Sequence, residues 1–208
     1  MGWLENVIFK DQEIEGRRLE LTDKNSLYYL SVGLVVRNCT IVLKVSAKNL
    51  IINQSSFIGC TFEVKQELKN HQSWVNASLK GCRFTGRLSG CTFGYWPDSA
   101  SGWEHGAIED CDFSEARLNG CRFMGCDPST LRLPGWPHFT VLDPVHRAPE
   151  LLRVPWPGRH GDVTVGVLNK QPPGTAAVTM FAPIIAKEDE STEEEIRAHI
   201  ERFDFIRF

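Results

Sequence analysis

The sequence predicts an all-β fold: a β-helix whose backbone turns a corner every five residues, followed by a small α+β unit at the C-terminal end. Three observations point there. Large apolar side chains recur every five positions through the middle of the chain, and small residues stand two positions ahead of most of them. Cysteines recur at gaps close to twenty, from Cys39 to Cys60 to Cys82 and from Cys91 to Cys111. A period of five matches neither a helix, at 3.6 residues per turn, nor a flat strand, which alternates every 2. It fits a square coil in which each side sends one large residue and one small residue into a narrow bore. Four such sides make about 20 residues per coil, a period typical of solenoids.

Residues 1–30, with Trp3, Leu4, Val7, Ile8 and Phe9, read as an N-terminal cap, because the open end of a stacked coil invites association. Residues 31–133 read as the β-helix. Its early part alternates with period 2 (Leu30, Val32, Leu34, Val36, then Ile41, Leu43, Val45), as longer strands would. The regular beat then runs through Ile52, Phe57 and Phe62, Leu79 and Phe84, Leu88 and Phe93, and Ile108, Phe113, Leu118 and Phe123. Its small partners are Ser55, Cys60, Ala77, Cys82, Gly86, Cys91, Gly106, Cys111, Ala116 and Cys121. Three departures interrupt it. A loop is expected near Lys65–Trp74, one residue is missing between Phe84 and Leu88, and residues 94–105 bulge outward.

The units Asn76-Ala-Ser-Leu-Lys-Gly-Cys-Arg-Phe and Asp110-Cys-Asp-Phe-Ser-Glu-Ala-Arg-Leu-Asn-Gly-Cys-Arg-Phe resemble the pentapeptide-repeat family, whose units read A(D/N)LXX. The resemblance covers residues 55–133. It implies a right-handed quadrilateral β-helix, here of about five coils, and says little about activity because repeat residues serve the core.

Beyond Pro128 the beat fades and Pro and Trp rise, so residues 134–160 read as a Pro/Trp-rich wrap or linker. Residues 161–208 read as a ββα unit. Residues 162–168 and 176–185 are its two strands, and a helix follows a capping box formed by Ser191 and Glu194. Ile196, Ile200 and Phe203 share one face of that helix.

Composition bounds the function. The 208 residues carry a net charge of −3 with a pI near 6.1, which argues against a broad nucleic-acid or membrane surface. No apolar run approaches the length of a membrane span, and the N-terminus lacks the basic and apolar regions of a secretion signal, so a cytoplasmic protein is expected. Seven cysteines without zinc spacing suit a reducing compartment and a core role. No phosphate-loop, dinucleotide, nucleophile-elbow or zinc-protease motif occurs, and no cofactor or metal is expected.

Two sets of residues could carry chemistry. His138, His146 and His160 lie in the wrap with Asp143 and Cys126, and a Cys/His pair is conceivable there. Asp110, Asp112 and Glu115 fall on outward positions of neighbouring units, as acid and base would on a β-helix that cleaves glycans. Loop histidines and turn-forming carboxylates explain both sets more simply.

Recognition is the stronger reading. Trp96, Trp103, Trp136 and Trp156 lie beside Pro or Gly in loops, and tryptophan anchors interfaces. Glu193, Glu194 and Glu195 belong to an acidic stretch: from residue 188 to the end there are eight acids against three bases, a balance of −5. A non-enzymatic bacterial scaffold docking a basic protein, such as an immunity or adaptor protein, follows as the leading expectation. Gyrase binding by DNA mimicry, known in the resembled family, needs an acidic tube. Residues 30–140 carry eleven bases against nine acids, a balance of +2, which disfavours it.

Overall fold

The structure, a computed structural model, describes residues 5–97 and 103–208. Strands make up 42% of it, stacked as a β-solenoid of about four turns. Chain passes follow one another in order. The first holds β1 (Glu5–Phe9), β2 (Glu13–Glu15) and β3 (Arg18–Leu21); the second β4 (Ser26–Leu30), β5 (Val35–Arg37) and β6 (Thr40–Leu43). The third holds β7 (Leu50–Ile52), β8 (Ser55–Ile58) and β9 (Thr61–Lys69); the fourth β10 (Ala77–Lys80), β11 (Arg83–Ser89) and β12 (Thr92–Gly94). The last holds β13 (Ala107–Glu109), β14 (Asp112–Asn119) and β15 (Cys121–Met124). Every pairing between successive passes is parallel, and the stacked strands form one sheet per face. Five rungs on the second face, β2-β5-β8-β10-β13, are separated by four turns.

Corners set the beat. The residue just before each inward cysteine is left-handed: Asn38 (φ 51°), Gly59 (63°), Gly81 (61°) and Asp110 (54°) at one corner, Gly90 (62°) and Gly120 (62°) at the next, where Asn70 (52°) takes the same conformation before buried His71. Only Gly, Asn and Asp adopt this conformation at low cost. Stacking adds a second constraint. A Cβ at Gly59 would stand 2.7 Å from Asn38 Oδ1, and one at Gly90 2.2 Å from Asn70 Oδ1, so Gly on the next rung leaves the Asn side chain room in its observed position.

Inside, the small and large residues form columns. Cys39, Cys60, Cys82 and Cys111 each donate a thiol hydrogen to a carbonyl of the preceding rung (Ile14, Val36, Phe57 and Leu79, at 3.3–3.7 Å). Cys91 and Cys121 do the same to Leu68 and Leu88 at 3.4 and 3.3 Å. Two aromatic columns run alongside. Phe62, Phe84 and Phe113 stack at 4.6 Å steps, while Trp74, Phe93 and Phe123 stack at 5.7 and 5.6 Å. Edge-to-face contacts interleave the two, for example Phe84–Phe93 at 5.6 Å.

Three expectations change here. Residues 5–30 form the first coil and the start of the second, pairing β1 with β4, β2 with β5 and β3 with β6, instead of a separate cap; Trp3 and Leu4 lie outside the described residues. The interruption at Lys65–Trp74 is not a loop throughout. β9 continues to Lys69 with two extra residues against β11, the register passing from Val64↔Gly86 to Leu68↔Leu88, and Trp74 fills the bore beneath Phe93. Val32, in the alternating stretch, points outward at a corner, 39% exposed. Of the expected bulge, residues 98–102 lie outside the described residues.

The C-terminal unit continues the fourth face. After β16 (His138–Leu142) come α1 (Pro144–Leu151), a π-turn at Gly161–Val165 leading into α2 (Gly166–Leu168), β17 (Thr175–Phe181), α3 (Ala182–Glu188), α4 (Glu193–Ile200) and β18 (Ile206–Arg207). β17 pairs antiparallel with β15, so one sheet, β12-β15-β17-β16-β18, joins the solenoid to the C-terminal unit, which caps its last coil. The unit has its own core, in which Phe139, Val178, Ile185, Ile196 and Ile200 are buried.

The wrap at 134–160 is therefore ordered, supplying β16 and α1. The strand expected at 162–168 is helical. Its Val/Val alternation yields to burial of Thr164, Val165 and Leu168 on one helical face, which leaves Val167 exposed. The strand expected at 176–185 stops at Phe181, where Pro183 opens α3. The capping box lies one residue on, between Thr192 and Glu195.

Candidate functional site

α4 begins where Thr192 Oγ1 accepts the Glu195 amide at 3.2 Å and Glu195 Oε2 accepts the Thr192 amide at 2.9 Å. Ile196 and Ile200 bury its inner face, which turns Glu194 and Glu195 to solvent and leaves Glu193 half-buried. Tryptophans flank it. The Arg197 guanidinium lies 5.0 Å from the Trp136 ring, and His199 lies 5.5 Å from Trp156. Trp156 also donates Nε1 to Leu151 O at 2.6 Å and stacks on Phe203. Both indoles are half-buried against the C-terminal core, so they anchor the cap and expose only part of each ring. Of the sequence-predicted recognition residues, Trp136 and Trp156 are thus set against Arg197 and His199 of the helix that carries the three glutamates. Trp96 and Trp103 stand apart, between β12 and β13. Trp96 is half-buried, its Nε1 without a hydrogen-bond partner among the described residues, and Trp103 opens a 3-10 turn, Trp103–His105.

The other candidates are occupied locally. His138 Nε2 accepts the Leu118 amide at 3.3 Å and Nδ1 faces Gly135 O at 3.2 Å, while burial lowers its pKa. His146 bonds Asp143 at 2.7 Å on the surface. His160 bonds Asp189 Oδ2 at 2.7 Å, and Thr164 donates to the same oxygen at 2.6 Å; all three residues are buried. That cluster ties the π-turn to the end of α3. Cys126 is half-buried and its thiol is pushed up to about 11 by burial, the wrong direction for a nucleophile. Asp112 accepts the Ser114 amide and hydroxyl at 2.9 and 2.6 Å, Glu115 pairs with Arg83, and Asp110 is a left-handed corner residue. All seven cysteines are free, and Cys82 and Cys91 are held protonated by the neighbouring thiols of Cys111 and Cys121 and by burial. No group of His, Cys, Asp and Glu among the described residues could hold a metal ion.

One feature escaped the charge count: a groove of about 640 Å³ on the solenoid, lined by Lys44, Lys48, Lys65, Lys69, Arg87 and Glu67. Its cations stack because the coils stack. Leu43, Val64 and Gly86 are in register across β6, β9 and β11, and Lys44, Lys65 and Arg87 follow them. The signal was present in the sequence, since each of these three stands five residues after a bore cysteine (Cys39, Cys60, Cys82) and Lys48 and Lys69 are 21 apart. A summed charge hides such a column.

No helix among the described residues is long and apolar enough to cross a membrane. Compared with family models, with curated proteins and with solved structures, the chain matches none.

Proposed function

We propose that this chain is a non-enzymatic bacterial scaffold that docks another protein through the acidic face of α4 and the flanking Trp136 and Trp156, and acts by steric occlusion. The observation that carries the reading is a set of carboxylates that no cation pairs. Several exposed acids are matched, Glu63 by Arg18, Glu109 by Lys80 and Glu115 by Arg83 on the solenoid, and Glu150 by Arg147 and Glu201 by Arg197 in the C-terminal unit. At the C-terminal unit, Glu188, Glu193 and Glu194 form no ion pair among the described residues, and Glu193 and Glu194 share α4 with Arg197 and His199, which contact the Trp136 and Trp156 rings. Uncompensated carboxylates next to aromatic anchors suit a basic protein surface. A toxin-neutralising immunity protein or an adaptor is the finer form of this proposal, and membership of the pentapeptide-repeat class is supported by the left-handed corners and the inward Cys and Phe columns.

Affinity capture with the full chain, compared with the double variant Glu193→Lys/Glu194→Lys, tests the reading. Both side chains lie outside the capping box but in the first turn of α4, where the helix dipole favours carboxylates, so melting temperature should fall by only a few degrees and circular dichroism should show the variant folded. The expected result is one stoichiometric partner with a basic surface, bound by the wild type and lost in the variant. Equal recovery by both proteins, or no partner at all, would refute it.

A further inference from the structure

The groove on the solenoid goes beyond that reading and does not depend on it. Five cations and one carboxylate line it, a net charge of +4. Lys44, Lys48 and Arg87 form no ion pair among the described residues, whereas Glu67 is occupied by Ser89 Oγ at 2.7 Å and Lys69 at 3.6 Å. Lys48 also borders an adjoining recess of about 220 Å³ that contains Lys24, so positive charge extends around the corner.

Two irregularities open this space. The chain leaves β6 through a 3-10 turn at Ala47–Asn49, which sets Lys48 on one wall. The two extra residues of β9 bulge Lys65, Gln66 and Glu67 outward to make the other, since Gly86 brings β11 so close that a Cβ there would lie 2.1 Å from Val64 O. The groove is therefore a built departure from the five-residue beat.

The groove's dimensions and lining select the ligand. Lys44, Lys65 and Arg87 lie on three successive rungs, a span of roughly 10 Å at the inter-strand spacing. The same face carries compensated charge nearby, with Arg18 and Lys65 both on Glu63 and Arg83 on Glu115. Along the strands a long polyanion would reach this neutralised surface, and across them it would meet Arg117, in register with Arg87 but with its guanidinium over the Phe181 ring at 5.3 Å, so extra length would gain little. No aromatic side chain lines the groove and Ala47 is its one apolar residue, so it offers neither base stacking nor an apolar anchor for a peptide. Lysine ammonium groups around one planar guanidinium suit phosphate oxygens. We propose that this groove binds a compact, multiply charged phosphate compound, held by Lys44, Lys48, Lys65, Lys69 and Arg87.

Titration calorimetry of the full chain with inorganic tripolyphosphate tests this. The expected result is saturable one-site binding that weakens at least about tenfold from about 50 mM to about 200 mM salt. Lys48→Ala and Arg87→Ala should each weaken binding about tenfold at unchanged melting temperature, and Lys170→Ala, a surface cation elsewhere, should not. Absence of saturable binding at millimolar tripolyphosphate, or full binding by Lys48→Ala/Arg87→Ala, would overturn the proposal. So would tighter binding of a 20-base-pair duplex DNA, of a poly-glutamate peptide or of a second copy of this chain through the same residues, each of which would reassign the groove to a macromolecular anion.

Discussion

Replacing Phe84 by alanine asks how much the aromatic columns contribute beyond simple burial. Phe84 is fully buried; its ring stacks on Phe62 and Phe113 at 4.6 Å and meets Trp74 and Phe93 edge-on at 5.5 and 5.6 Å. Phe57 is equally buried, but its ring contact is with Phe62 alone among the described residues, at 5.3 Å. Truncating a buried Phe costs about 3–5 kcal/mol, and each well-placed ring pair adds about 0.5–1.5 kcal/mol beyond area. Three additional ring neighbours should therefore make Phe84→Ala costlier than Phe57→Ala by about 2 kcal/mol. Hydrogen-bonded corners on every rung also keep the bore from collapsing into the gap. Urea denaturation followed by circular dichroism and tryptophan fluorescence reads the difference. Phe84→Leu, which keeps apolar volume but removes the ring, provides a folded comparison if the alanine variant is too unstable. Because solenoids can unfold by segments, the m-value must stay constant for the comparison to hold. Equal losses at the two positions, or a neutral Phe84→Leu, would show that the stacking contributes nothing separable.

Acid should weaken the solenoid through His71, which is buried and whose pKa is pulled down from 6.5 to about 4 by desolvation. The folded chain then binds fewer protons than the unfolded chain between those values, so stability is fully present above about pH 6.5 and falls as pH drops toward 4. At pH 4.5 the loss from this group should be roughly 2–3 kcal/mol, and His71→Phe should remove that part of the pH dependence of the urea midpoint; an unchanged dependence would refute it. In the cap, Asp189→Ala would strand the His160 imidazole and the Thr164 hydroxyl in the interior, at about 3 kcal/mol. Hydrogen exchange should show the loss in α3 and the π-turn while the bore amides of β8–β11 stay protected; uniform loss of protection would instead mean that cap and solenoid unfold together.

The coil was legible in the sequence because its constraint is local and repeated. Four successive rungs place a residue tolerant of positive φ at one corner and a small residue just inside it, so Asn38-Cys39, Gly59-Cys60, Gly81-Cys82 and Asp110-Cys111 announce the same event. The acidic start of α4 was legible for a similar reason, since capping depends on neighbours three residues apart, although which hydroxyl serves, Thr192 in place of Ser191, depends on where the helix is docked. The C-terminal unit was harder to read. Val163, Val165 and Val167 alternate as a strand would, and only the apolar surface offered by α1 and β17 decides that residues 164, 165 and 168 turn inward together.

Spacing and residue type thus determine by themselves that this chain coils, that the repeated Cys and Phe side chains line its bore and that an acidic helix lies near its end. Tertiary structure alone decided that the early residues join the coil, that Trp74 closes an aromatic column, that β17 locks the cap onto the fourth face and that five cations converge in one groove. The physical reason is range. Corner geometry and helix capping act over a few residues, whereas a bulge, an antiparallel pairing or a column of charges exists only once segments distant in the chain lie side by side.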